Sequence, residues 1–180
     1  MRLSVIIVNW NAKEFLERCL KSVFASEFKG DFEVIVVDNN SSDNSVAFVR
    51  ENYPCARVLA NRENTGFARA NNQAIRESRG DYILLLNPDT EIRKETLQVM
   101  VDFMDRRPEC GMAGCRVLNP DGTLQLACRR NIPTLADAFF KLIGISRLFP
   151  RSARFSRYNL TFLSPDVMTR VDAVSGAFLM

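Results

Sequence analysis

Two carboxylates stand where apolar runs end, and each is placed to meet a ligand. In "LLLNPDTEI" (Leu84 to Ile92) the run breaks at Asn87-Pro88-Asp89, and in "VIVVDNNSSDNS" it breaks at Asp38. A carboxylate at a strand end suits a divalent cation, which in turn neutralises a diphosphate. Pro88 fixes its own φ and removes a backbone donor, so it holds Asn87 and Asp89 in a defined turn. The plainer reading of the tripeptide is a β-turn leaving a core strand, since all three are common turn residues. Asp38 could accept the imide N–H of a uracil or thymine, while Ser42 and Asp43 fit the cap of the next helix. Rival chemistries lack their residues. The loop after the first apolar run reads "NWNAKEF", with no glycine, so neither a dinucleotide fingerprint nor a P-loop is present. The chain contains no histidine, and Cys19, Cys55, Cys110, Cys115 and Cys128 form no C-x-x-C pair, which argues against a zinc site and against disulfides.

Positioning these groups requires strands that end together. Leu3 to Val8 is a short β-branched run, and Phe15, Leu16, Cys19, Leu20, Val23 and Phe24 follow at helical spacing. A second strand, Phe32 to Val37, ends at Asp38 and leads to a helix through Val46, Val49 and Tyr53. A third, Ala56 to Ala60, leads through a polar loop to a helix carrying Phe67, Ala70, Ala74 and Ile75. The fourth, Tyr82 to Leu86, is apolar throughout, as a central strand covered on both faces should be. After Asp89 a helix presents Leu97, Met100, Val101 and Met104. This alternation predicts an α/β fold, a mostly parallel sheet with helices on both faces. Ligands of such sheets bind beyond the carboxyl ends of the strands, where Asn9, Asn11, Asp38, Asn39, Asn61 to Gly66, Asn87 and Asp89 gather.

Past Cys115 the pattern weakens. Asn119-Pro120-Asp121-Gly122 predicts a hairpin turn between Arg116 to Leu118 and Thr123 to Leu126, a short amphipathic helix is expected at Phe139 to Leu148, and "VDAVSGAFLM" (Val171 to Met180) reads as a strand entering a new element. At 180 residues, 47% hydrophobic and 25% charged, the chain has the balance of one globular domain with a substantial core. No apolar run approaches a membrane span and the N-terminus lacks a signal-peptide pattern, which points to the cytoplasm. The formal net charge of +3 is too small to argue nucleic-acid binding. Its distribution is uneven: Arg129, Arg130, Lys141, Arg147, Arg151, Arg154 and Arg157 face the single acid Asp137. The plain reading is a solvated face. The sharper one is a surface across 129–157 that meets anionic lipid or a lipid-diphosphate acceptor at the inner face of the membrane.

Four segments in order, "LSVIIVNWN", "VIVVDNNSSDNS", "NRENTGFARANNQAI" and "LLLNPDTEI", together resemble the family 2 glycosyltransferases with a GT-A fold, and within them the rhamnosyltransferase-like branch. The resemblance is close over residues 1–120 and looser over "VDAVSGAFLM". It implies one GT-A domain, with a nucleotide-sugar-binding half at 1–118 and an incomplete acceptor half at 119–180, truncated at its C-terminal part. Asn87-Pro88-Asp89 matches the family's D-x-D position, which makes Asp89 the implied ligand of Mg²⁺ or Mn²⁺. Asn87, standing for the first acid, would hydrogen-bond ribose or a metal-bound water. Asp38 matches the base-binding acid, with Asn39 beside it, and Val8, Asn9 and Trp10 match the loop lining base and ribose. Trp10 either stacks on the base or packs in the core.

"NTGFARANN" matches the segment beside the diphosphate. There Gly66 lets backbone come close, Asn64 can bond sugar or nucleotide, and Arg69 can pair with phosphate, with Asn71 and Asn72 following. The plainer reading is a helix start with an exposed arginine. The implied reaction is inverting transfer of a sugar, rhamnose on family branch alone, from a dTDP- or UDP-linked donor to a saccharide or lipid-linked acceptor in cell-envelope polysaccharide synthesis. The other reading is a nucleotide-sugar-binding module without turnover. Without histidine the base must be Asp or Glu. The family carries it downstream of "SGAFLM", so it is expected beyond Met180, and Asp172 is expected to be structural or to contact the acceptor.

Overall fold

The computed structural model describes residues 1–180 and builds the four apolar runs into β1 (Leu3–Asn9), β2 (Phe32–Asp38), β3 (Arg57–Ala60) and β4 (Tyr82–Leu86). Two-residue strands β5 (Arg129–Arg130), β6 (Ala173–Val174) and β7 (Phe178–Leu179) follow. The sheet order is β3-β2-β1-β4-β7, parallel except for β7, as the alternation of apolar runs predicts. The chain forms two compact units, Met1–Ala113 with Gly176–Met180, and Gly114–Ser175.

Within the first unit, the connections are helices α1 (Lys13–Phe24), α2 (Ser45–Asn52) and α3 (Phe67–Glu77), and α4 (Thr96–Arg106) follows β4. From β1 to β3 the chain steps one way, then returns across the sheet to β4. Right-handed crossovers therefore place α3 on the face opposite α1 and α2. Ala70 and Ala74 of α3 pack on Ile6, Val8, Ile35 and Val37, with Ile83 and Leu85 beside them. The alternate residues Leu3, Val5, Ile7, Val34 and Val36 point to the other face and are equally buried. Because β1 is buried on both faces, it reads as continuous apolar sequence rather than alternation. Each such buried aliphatic side chain stabilises the fold by about 1.5–3 kcal/mol.

The amino ends of these strands are locked by a polar plug. Buried Ser4 donates to Glu33 Oε1 at 2.7 Å and accepts from Gly80 N at 2.8 Å. Burial raises the Glu33 carboxyl, but bonds from Ser4, the Arg79 N–H and Arg57 outweigh it and hold its pKa below the ordinary value. At Gly80 a Cβ would lie 2.5 Å from Ser4 N and 2.7 Å from Tyr82 O, so only glycine fits.

At the carboxyl ends, the register sets Asn9 level with Asp38, and Asp38 level with Ala60. Strand order reverses between β1 and β4, and the crevice beyond such a reversal is where open α/β sheets bind ligands.

Three expectations for the C-terminal third change. Val171 to Met180 is not one strand: Ala173–Val174 pairs with Arg129–Arg130, whereas Phe178–Leu179 pairs antiparallel with Leu85 and Leu86. Ser175-Gly176 separates the two apolar pairs, and Gly176–Met180 belongs to the first unit. The hairpin at Asn119-Pro120-Asp121-Gly122 forms its turn, with Asn119 N donating to Thr123 O at 2.8 Å, but its arms pair only as Leu118 with Leu124. The helix expected at 139–148 is two, α5 (Leu135–Leu142) and α6 (Ile145–Leu148), broken at Gly144 with φ +79°. A Thr134–Asp137 capping box starts α5 earlier than its apolar pattern suggested.

In the second unit, Arg129 is buried and donates to the carbonyls of Leu163 at 2.7 Å and Ser164 at 2.9 Å, which removes it from the basic surface. Asp172 accepts from Ile132 N at 3.0 Å, tying β6 to the chain after β5. No helix is long and apolar enough to cross a membrane.

Candidate functional site

At the end of β1, the Asn9 side chain donates to Asp38 Oδ1 at 2.9 Å and to Ser41 Oγ at 3.2 Å. Asp38 also accepts from Ser41 N at 2.8 Å and Ser41 Oγ at 2.6 Å. Asn11 N donates to Ser41 Oγ at 2.9 Å, and Asn11 Oδ1 accepts from Ser42 N at 2.8 Å. The two loops after β1 and β2 are thus knitted into one polar ledge. Asn11 and Asn40 hold left-handed backbone, with φ of 51° and 62°, a conformation asparagine tolerates better than most residues.

A second set of bonds carries the ledge to the loop before α3. Asn39 Oδ1 accepts from Asn61 Nδ2 at 3.0 Å and Thr65 Oγ1 at 3.2 Å, and Asn64 Oδ1 accepts from Gly66 N at 2.9 Å. Gly66 has φ +80°, and a Cβ there would meet nothing within 4 Å, so its backbone requires glycine while the space above it is open.

After β4, Asn87 N donates to Ala177 O at 3.0 Å and Thr90 N donates to Asn87 O at 3.1 Å, which fixes the Asn87-Pro88-Asp89 turn against β7. Beneath it, the buried Cys19 thiol lies 3.6 Å from Asn87 O. Burial first, then the negative charges of Asp89 and Glu91, push that thiol up to about 12, so it stays neutral and supports the turn. The Asp89 carboxylate is exposed and makes no hydrogen bond or ion pair with the chain, and the half-buried Asn87 amide likewise has no partner.

The positions singled out in the sequence fall into two groups. Val8 packs its side chain in the core, against Ala70 and Ala74, and so supports the ledge instead of lining it. Asn9, Asp38 and Asn39 are buried, Asp38 to 1% exposure, and their bonds build the ledge. One atom in this group, Asn9 Oδ1, is buried without a partner. The outward group is Trp10, 58% exposed and therefore not a core residue, with Asn64, Gly66, Arg69 and Asp89. Arg69 makes no ion pair. Asn71 is buried and bonds Phe67 O at 2.9 Å inside α3, whereas Asn72 is exposed. Sequence reasoning missed Ser41 and Thr65 as organisers, because "NNSSDNS" and "NRENTG" read simply as polar loops; three asparagines in one such run were the available hint of left-handed turns.

No three or more His, Cys, Asp or Glu side chains come together anywhere in the chain, so it offers no complete metal cage. What Asp89 and Asn87 offer is one carboxylate and one neutral amide oxygen at a fixed turn. That hard-oxygen set fits Mg²⁺ or Mn²⁺ taken jointly with phosphate oxygens and water, the way such ions are usually held beside nucleotides.

The family model "Glycosyl transferase family 2" matches residues 4–169. A poly-beta-1,6-N-acetyl-D-glucosamine synthase of Staphylococcus aureus is 27% identical over 96% of this chain and 44% of its own length. Among solved structures, the mannosyltransferase PcManGT of Pyrobaculum calidifontis, in complex with GDP-Man and Mn²⁺, aligns with TM-score 0.60 and 28% identity over 67% of this chain and 36% of that one. The S. aureus TarS 1-349 structure in complex with UDP aligns with TM-score 0.62 and 26% identity over 76% of this chain and 39% of that one. This chain therefore spans less than half the length of each of these relatives.

Proposed function

The chain belongs to glycosyl transferase family 2, and from that premise we propose that it holds the donor half of a sugar-transfer site, binding a nucleoside diphosphate sugar at the carboxyl ends of β1, β2 and β4. The observation that carries this reading is the free, exposed Asp89 carboxylate at the fixed turn after β4, at the reversal of strand order. Asp89, with Asn87 beside it, would hold Mg²⁺ or Mn²⁺, whose chemistry when bound is to offset charge on the departing diphosphate. Arg69, free of ion pairs, would meet a phosphate oxygen, and the bare backbone at Gly66 would admit the diphosphate. Trp10 would stack on the base. Asn9, Asp38, Asn39 and Ser41 set the ledge rigidly, so that little ordering is left to be done on binding.

The reaction we propose is inverting transfer of the sugar to a saccharide or lipid-linked acceptor in cell-wall polysaccharide synthesis. Support comes from the polysaccharide synthase and TarS among its relatives. A pyrimidine base is supported by the UDP held in TarS, while PcManGT holds a guanine nucleotide. No residue of the ledge is assigned the acceptor's proton. The test is a thermal-shift panel with Mn²⁺ and UDP-GlcNAc, dTDP-rhamnose or GDP-mannose, followed by nucleoside diphosphate release with acceptor present. A rise in Tm with a uridine or thymidine sugar supports the reading; no shift with any donor contradicts it.

A further inference from the structure

We propose that the α5–α6 segment of the second unit is a docking surface for a membrane containing anionic lipid. Leu135, Phe139 and Leu142 recur at i, i+4 and i+7 on α5 and are 92%, 56% and 85% exposed. Such a stripe normally faces a core. Here the inward side of the helix is already occupied: Phe140 packs edge-on against Phe155 at 5.0 Å, and Asp137 is buried in the capping box. Leu148 of α6 and the following Phe149 are also exposed.

The charges around this stripe have one sign. From Ala138 to Pro165 the chain contains no acid, while Lys141, Arg147, Arg151, Arg154 and Arg157 are all exposed and none forms an ion pair within 4.0 Å. The nearest acid, Asp137, is turned inward and bonded by Thr134 N at 2.9 Å and Thr134 Oγ1 at 2.7 Å. Lys141 lies over the Tyr158 ring at 5.3 Å and Arg154 over the Phe155 ring at 5.8 Å, contacts that leave their charge unneutralised. Exposed apolar side chains in an acid-free, basic segment match the boundary between acyl chains and anionic headgroups. A second copy of the chain fits poorly, because a two-fold contact would set the five cations against themselves.

The inference is independent of the donor reading, and its test leaves that site alone. The chain is co-sedimented with vesicles of phosphatidylcholine alone or mixed with phosphatidylglycerol. Binding only to the anionic vesicles is expected, with at least a tenfold loss in Phe139→Ser/Leu142→Ser and in Arg147→Glu/Arg151→Glu. Circular dichroism and nucleotide titration of both variants should match the parent, which separates lost docking from lost folding and from failure of the donor reading. Absence of binding, equal binding to neutral vesicles, or sedimentation-velocity dimers that vanish in the Phe139→Ser/Leu142→Ser variant would overturn the proposal.

Discussion

The Asn9 side-chain amide donates to Asp38 Oδ1 at 2.9 Å across the level ends of two parallel strands. Because Asp38 also holds Ser41 N and Oγ, one buried carboxylate sets the shape of two loops. Asp38→Ala would take from the Asn9 amide one of its two acceptors and leave the Ser41 N–H unpartnered, and is expected to lower stability by about 2 kcal/mol in urea titration, as the loss of bonds to a buried charged group does. Nucleotide affinity should fall with it. A variant with parental stability and parental affinity would show that the ledge does not depend on this carboxylate.

The two special glycines should respond differently. Gly80→Ala places a Cβ against backbone atoms of Leu3, Ser4 and Tyr82, and is expected to cost about 3 kcal/mol, toward the upper end for overpacking. Gly66→Ala meets no atom within 4 Å but must hold φ +80° with ψ 165°, a backbone region nearly confined to glycine, so about 1–3 kcal/mol is expected. Urea midpoints rank the two.

Acid should loosen the first unit at both ends of its sheet. At Asp43, burial raises the carboxyl pKa, but bonds from the Ser45 side chain and from the Lys13 and Ser45 N–H groups outweigh it and hold the pKa low; Glu33 is held low in the same manner. A carboxyl depressed on folding contributes stability that is complete above its unfolded value, about 4, and is lost as pH falls through the lower folded value. Urea midpoints should therefore be level near pH 6 and drop below about pH 4. Asp43→Asn should be less stable at pH 6, by about 1 kcal/mol, and show a shallower acid decline.

The fold was legible where local pattern and burial agree. β1, β2 and β4 stand within a residue of their apolar runs because strands covered on both faces allow no polar interruption. The last ten residues were not legible as two strands, since Ala173–Val174 and Phe178–Leu179 owe their pairing to partners far away in sequence. In the site, strand-end polar residues were visible by type, but their division into buried organisers and outward groups was not. Asp38 and Asp89 both follow apolar runs; only the surrounding hydroxyls and amides make the first a bonded, buried acid and leave the second free.

The most direct test is calorimetric titration of the chain and its Asp89→Ala variant with UDP, dTDP and GDP, with and without Mn²⁺. The account predicts that a pyrimidine diphosphate binds the parent chain only with the metal, and that Asp89→Ala loses that binding while melting like the parent, because its exposed carboxylate has no structural partner. Binding unaffected by Mn²⁺ or by the substitution would contradict a metal-assisted donor site at the turn after β4.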